Sequence, residues 1–152
     1  MDPRPKTVDT QIRRWRVAWV GLAIALALHV TDEALTGFLP VYNAIVRDVR
    51  ANYPFVPLPT FTFQVWLTGL VAAVTAMLAV TPFLDSDSRR MRVVSMLLAF
   101  VMVGNALGHL GASIYWRRPA PGVYSSPVLL IAAVSLFVVA NRTSLRSSPS
   151  DT

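Results

Sequence analysis

His29, Asp32 and Glu33 stand inside the apolar stretch Val17–Leu39, spaced i, i+3 and i+4. On a helix this spacing puts an imidazole and two carboxylates on one face. An ionisable residue near the middle of a membrane span costs about 2.5–3.5 kcal/mol on insertion scales. Three together are hard to explain as packing, and they mark an intramembrane functional site. The chain has one other histidine, His109, in a second apolar stretch, where Asn105 precedes it by four residues and shares its helical face. Two imidazoles, two carboxylates and an amide form a ligand set suited to a divalent Zn, Fe or Mn ion. They are equally a general acid–base pair with an orienting amide. His29, Glu33 and His109 are the expected catalytic groups, and His29, Asp32, Glu33 and His109 the expected metal ligands. Asn105, Gln64 and Thr68 are expected to support them.

The elements that must position these residues follow from the hydropathy pattern. Hydrophobic residues make up 54% of the 152 and charged residues 14%, too apolar a balance for a soluble chain of this length. Four apolar segments carry the excess: 17–39, 61–84, 93–116 and 123–140. Each is long enough to cross a bilayer core of about 30 Å as a helix, the last only just. The expected fold is therefore all-α, a polytopic four-helix membrane bundle, because a lipid-facing backbone must satisfy its own hydrogen bonds. A basic arm (1–16) precedes the membrane domain (17–140), and a flexible tail (141–152) follows it. A cleaved leader is the competing reading of the first segment: Arg13, Arg14 and Arg16 resemble a basic n-region, and Ala25-Leu26-Ala27 a cleavage site. The apolar run continues past that point to Leu39, which favours a retained span.

The chain has no cysteine, which excludes disulfides, thiolate metal sites and cysteine nucleophiles. The net charge of +6 does not point to nucleic acid, because the basic residues gather at span ends. Arg4, Lys6, Arg13, Arg14 and Arg16 lie in the arm, Arg89, Arg90 and Arg92 in the second connection, and Arg142 and Arg146 in the tail. The two connections on the other side hold Arg47, Arg50, Arg117 and Arg118. The positive-inside rule then puts both termini in the cytoplasm of a multi-pass cell-membrane protein. With that orientation His29 lies about 18 Å from the cytoplasmic edge, Asp32 and Glu33 about 22–24 Å, and Asn105 to His109 about 18–24 Å, at 1.5 Å per residue. Gln64 and Thr68 begin the returning second span near the same level. Residues on separate helices thus fall in one layer, in the outer half of the bilayer. Gly104, Gly108, Gly111 and Ala112 would let the third helix approach its neighbours closely.

Single polar residues in spans often serve only as interhelical hydrogen bonds, contributing about 0.6 kcal/mol on average. That reading suits Gln64 and Thr68, divides evenly for Asn105, and suits the quartet poorly, since adjacent carboxylates are seldom glue. Both connections on the outer side are proline-rich (53–59 and 118–124), and between Val41 and Val49 apolar residues recur at helical spacing, as in a short interfacial helix. These segments would roof the site or simply connect the spans.

With these residues in view, the chain resembles the HXXEE-motif family of small integral membrane proteins. That family is named for a His-x-x-Glu-Glu string, followed by another histidine and a Tyr-x-Pro-Gly turn. Here the string is His29-Val30-Thr31-Asp32-Glu33 and the turn is Pro119-Ala120-Pro121-Gly122, so Asp replaces the first Glu and the tyrosine is missing from its usual place. The resemblance runs from about Ala18 to Ser135 and implies a membrane location, with no established activity. Two functional classes follow from the residues: an intramembrane enzyme, metal-dependent or acid–base, acting on an apolar or lipid-like substrate, and a proton- or cation-binding protein or small transporter. A bis-histidine haem protein ranks below both, because carboxylates suit a harder ion. Membrane lipids are the expected partners, with no nucleic acid. The orientation is tested by a single cysteine at Ser88, which is expected to resist a membrane-impermeant thiol reagent in intact cells; labelling there would reverse the topology.

Overall fold

A chain withdrawn from water must pair its backbone groups internally, and helices do this within each segment. The computed structural model describes residues 6–84 and 89–145. Its elements are α1 (Lys6–Thr36), α2 (Phe38–Asn52), α3 (Phe63–Val80), a 3₁₀ turn (Thr81–Phe83), α4 (Arg89–Trp116) and α5 (Ser126–Leu145), with no strand among the described residues. Three stretches are long and apolar enough to cross a membrane: Thr10–Thr36, Phe63–Phe83 and Arg89–Trp116. Ser126–Arg142 is a shorter apolar helix.

The helix ends depart from the expected span ends for local reasons. The first helix stops at Thr36, because Gly37 takes a left-handed conformation (φ +76°) that glycine adopts without a Cβ penalty. Leu39 therefore belongs to α2, where it is buried. The short helix expected over Val41–Val49 is the middle of α2, whose Pro40 sits in the first turn, where a missing N–H breaks no bond. At the end of α4, Arg118 N–H donates to Ser113 O (3.2 Å) and Arg117 N–H to Ile114 O (3.2 Å). This closes the helix as a Schellman motif, with Arg117 (φ +53°) where glycine is usual. The chain then turns through residues 120–125, so α5 starts at Ser126 rather than 123 and runs into the expected tail. Residues 1–5 of the arm, 85–88 of the second connection and 146–152 of the tail lie outside the described residues.

The hub is α1. Trp15, Trp19, Leu22, Ala23, Leu26, His29, Val30 and Glu33 form one buried stripe along it, whereas Val17, Ile24, Leu28 and Leu35 face outward. Two indoles tie the hub to its neighbours: Trp15 Nε1–H donates to Ser95 Oγ on α4 (3.1 Å), and Trp19 Nε1–H to Met77 O on α3 (2.7 Å). Arg16 donates to the Leu84 carbonyl (Nε 3.2 Å, Nη2 3.0 Å) and to Pro82 O (3.0 Å) beside the 3₁₀ turn. α3 meets α1 along Trp66, Leu67, Leu70, Val74 and Met77 and is exposed elsewhere.

The most extensive helix packing is between α4 and α5; α5 also packs on the hub, which α4 meets through side chains such as Ser95 and His109. Ala99 and Ala106 of α4 and Leu129, Ala133 and Leu136 of α5 are fully buried there. Alanines, not the expected glycines, make this approach: a Cβ added at Gly104, Gly108 or Gly111 would meet no atom within 4 Å. Small residues let such helices gain dispersion contacts, which drive association where lipid already supplies an apolar surround. Ala133→Leu is accordingly expected to cost about 1–3 kcal/mol by overpacking, while Ile131→Leu on the exposed face of α5 leaves the unfolding temperature in detergent unchanged.

Candidate functional site

The buried stripe of α1 stays polar toward its C-terminal end. His29 lies seven residues before Thr36, the last residue of α1, and His109 seven residues before Trp116, the last of α4. Each is therefore about 10 Å from the end of its helix at 1.5 Å per residue. The rings meet edge to face with centroids 4.8 Å apart. Glu33 reaches between them: its Oε1 lies 3.1 Å from His109 Nε2 and 3.5 Å from His29 Nε2. His29 is fully buried, and Glu33 and His109 nearly so. Asn105 Oδ1 completes the group, 3.1 Å from His109 Nε2. Phe38 of α2 lies against the His109 ring, with centroids 5.4 Å apart.

Asp32 takes a different place from the one expected. Its Oδ2 accepts from the backbone N–H of Ser125 (2.9 Å) and from the Ser125 hydroxyl (2.8 Å), and the same hydroxyl oxygen lies 2.8 Å from His29 Nδ1. The ligand atoms of His29, Glu33 and His109 all lie within 4.8 Å of one another, and Asp32 is not in that group. Aspartate points to the neighbouring turn because it sits one position off the buried stripe, and its short side chain ends at Ser125. Gln64 and Thr68 do not join either: both are exposed on α3, off the face that meets α1.

The connection between α4 and α5 takes the first of its two expected roles, and it does so through residues the sequence did not single out: Thr36, Ser113 and Ser125. Gly122 N–H donates to Thr36 Oγ1 (3.1 Å) at the end of α1, and Ala120 N–H donates to Ser113 Oγ (2.9 Å) near the end of α4. The proline-rich turn is thereby laid over the site as a roof. Gly122 has φ +81°, and a Cβ there would stand 3.0 Å from Glu33 Cγ and from His109 Cε1 and Nδ1. Only glycine lets the backbone press this closely on both side chains. The Pro-Gly pair was visible as a turn in the chain, but nothing local distinguishes Ser125 from an ordinary helix-capping serine.

Proton positions follow from this network. A carboxylate only accepts, so the Ser125 O–H points to Asp32, and Ser125 Oγ accepts from His29 Nδ1–H. A neutral His29 then carries a lone pair on Nε2, directed at Glu33 Oε1. Among the described residues, this Nε2 is the buried side-chain polar atom without a hydrogen-bond partner. Two acceptor atoms facing each other at 3.5 Å in a buried site repel, unless a proton or a metal ion stands between them. An ion held at about 2.0–2.2 Å by two ligands keeps their donor atoms roughly 3.0–3.5 Å apart, for angles between octahedral and tetrahedral. The 3.1 and 3.5 Å separations from Glu33 Oε1 fit that range, whereas the two histidine nitrogens, within 4.8 Å of each other, would have to draw closer around an ion.

Ser125→Ala tests the network. It leaves Asp32 and His29 Nδ1 without the shared hydroxyl, and a loss of about 1–3 kcal/mol is expected from unfolding in detergent. The ¹⁵N signals of the His29 ring are expected to shift from the Nδ1–H form; an unchanged spectrum would remove Ser125 from the tautomer control.

No curated protein and no solved structure matches the chain. A family model described as a protein of unknown function with HXXEE motif matches residues 19–137, a region that holds the His29–Glu33 string, Asn105, His109 and the Gly122–Ser125 roof. The chain belongs to the HXXEE family.

Proposed function

We propose that this chain is a four-span membrane protein with both termini in the cytoplasm, whose His29, Glu33 and His109 bind a divalent transition ion in the outer half of the bilayer. The ion would serve chemistry on an apolar, lipid-like substrate. The three long apolar helices and the shorter α5 support the spans: 17 residues of α5 extend about 26 Å, within reach of a bilayer core. The arginine distribution supports the orientation.

The observation that carries the metal reading is the buried, unpartnered Nε2 of His29, aimed at a carboxylate oxygen that His109 Nε2 also approaches. Two imidazoles and one carboxylate leave coordination positions open, as in zinc hydrolases and non-haem iron oxygenases. Two nitrogen ligands favour Zn, Fe or Mn over Mg or Ca. When bound, such an ion polarises an oxygen of the substrate or lowers the pKa of a bound water. The protein's own groups have separate tasks. Glu33 supplies the negative charge that offsets the ion in a dry site. Asp32, through Ser125, holds His29 Nδ1 protonated and keeps Nε2 free to ligate, the orienting role that outer partners play at metal centres. Asn105 Oδ1 accepts from His109 Nε2–H, a proton that His109 would give up on ligating an ion.

A second reading rests on a different feature of the same atoms. From Asp32 through Ser125, His29, Glu33 and His109 to Asn105 the polar contacts run without a gap longer than 3.5 Å. That continuity suits a proton- or cation-binding protein, with a proton in place of the ion. Metal analysis separates the two. Protein purified in detergent and loaded with Zn, Mn or Fe is expected to retain about one equivalent per chain, and Glu33→Gln and His29→Ala to lose it while remaining folded. Failure of the parent protein to hold any of the three ions would overturn the metal reading, and pH-driven flux in liposomes would then establish the other.

A further inference from the structure

Beside the His/Glu centre lies a cavity of about 320 Å³ between α2 and α4. Phe38, Val41 and Ile45 of α2 form one wall, and Gly104, Gly108 and Ala112 of α4 the other. These three α4 residues are spaced i, i+4 and i+8, so they align along one face. Nothing lies within 4 Å of a Cβ at either glycine. Bare backbone here faces open space, not another helix. His109 and Asn105 border the same cavity. One imidazole therefore belongs both to the buried centre and to the groove wall.

We infer that this groove binds a single-chain amphiphile with a neutral hydroxyl or carbonyl head, the chain lying along Gly104–Ala112 and the head at His109 and Asn105. The inference rests on the reading of His29, Glu33 and His109 as a reaction centre, and it names the class of molecule delivered there. The volume lies at the lower end of the roughly 300–1,000 Å³ of small-molecule pockets, which suits one chain better than a fused-ring or two-chain lipid. No arginine or lysine is among the lining residues. An anionic head such as phosphate would find none of the charge-assisted donors that normally hold it. The amide of Asn105, beside the His109 ring, donates and accepts single hydrogen bonds and matches a hydroxyl or carbonyl.

The glycines supply the test, because filling them is sterically free. Gly104→Leu and Gly108→Leu each place a side chain in open space and replace a helix-interior glycine with a better helix former. Both variants are expected to fold and to keep the metal content of the parent protein. The probe is a diazirine-bearing dodecanol, photolysed with the full chain in nanodiscs. Label is expected on Val41, Ile45, Ala112 or Trp116, and either leucine variant is expected to reduce it roughly tenfold, about 1.4 kcal/mol in affinity. Label spread over the exposed face of α3, or unchanged by both variants, would overturn the groove. Stronger competition by dodecyl phosphate than by dodecanol would overturn the neutral head. A parent protein that labels in the groove but holds no Zn, Mn or Fe would leave the groove standing and remove the metal reading alone.

Discussion

A carboxylate and two imidazoles buried together in an apolar bundle set the conditions that the rest of this structure meets. Glu33, His29 and His109 have almost no access to solvent, so every polar atom among them needs a partner supplied by the protein or by an ion. Asn105 serves His109 Nε2, and the hydroxyl of Ser125 serves His29 Nδ1. His29 Nε2 is left over. That lone pair is aimed at the Glu33 carboxylate, 3.5 Å away.

Holding that arrangement requires two helices at a common level and a lid over them. The level comes from the Trp15 indole, which bonds Ser95 of α4, and from α5, which packs on both α1 and α4. The lid comes from the Pro-Gly turn. It is strapped to α1 through Thr36 and Asp32, and to α4 through Ser113. Glycine at 122 brings this turn into contact with Glu33 and His109, where any side chain would push them apart. Asp32 thus acts at one remove, fixing the turn and, through Ser125, the protonated nitrogen of His29. An aspartate in place of the family's first glutamate is compatible with that role, since the shorter side chain reaches Ser125 without entering the cluster.

The glycines of α4 show how one composition can serve two ends. Small residues in an apolar helix usually mean close helix contact, and Ala99 and Ala106 behave that way. Gly104 and Gly108 instead keep one wall of a groove low beside His109. Spacing cannot separate these outcomes, because both place small residues at helical intervals along one face; only the partner helix decides.

Much of the site could be read from the chain. His29 and Glu33 are four apart, as are Asn105 and His109, and each pair must share a helical face whatever the fold. Counting residues from the basic ends puts both pairs in one layer, because rise per residue is constant along a helix. The helical class follows from the hydropathy of 54% apolar residues. Tertiary structure decided what lies beyond the reach of a single helix. It turned Asp32 away from the His29, Glu33 and His109 cluster toward Ser125, left Gln64 and Thr68 exposed, and closed the site with residues 120–125. Those outcomes depend on contacts between residues up to 96 positions apart, as in the contact of Ser125 with His29. Helical periodicity specifies the face a side chain occupies, but carries no information about which distant backbone will be folded against it.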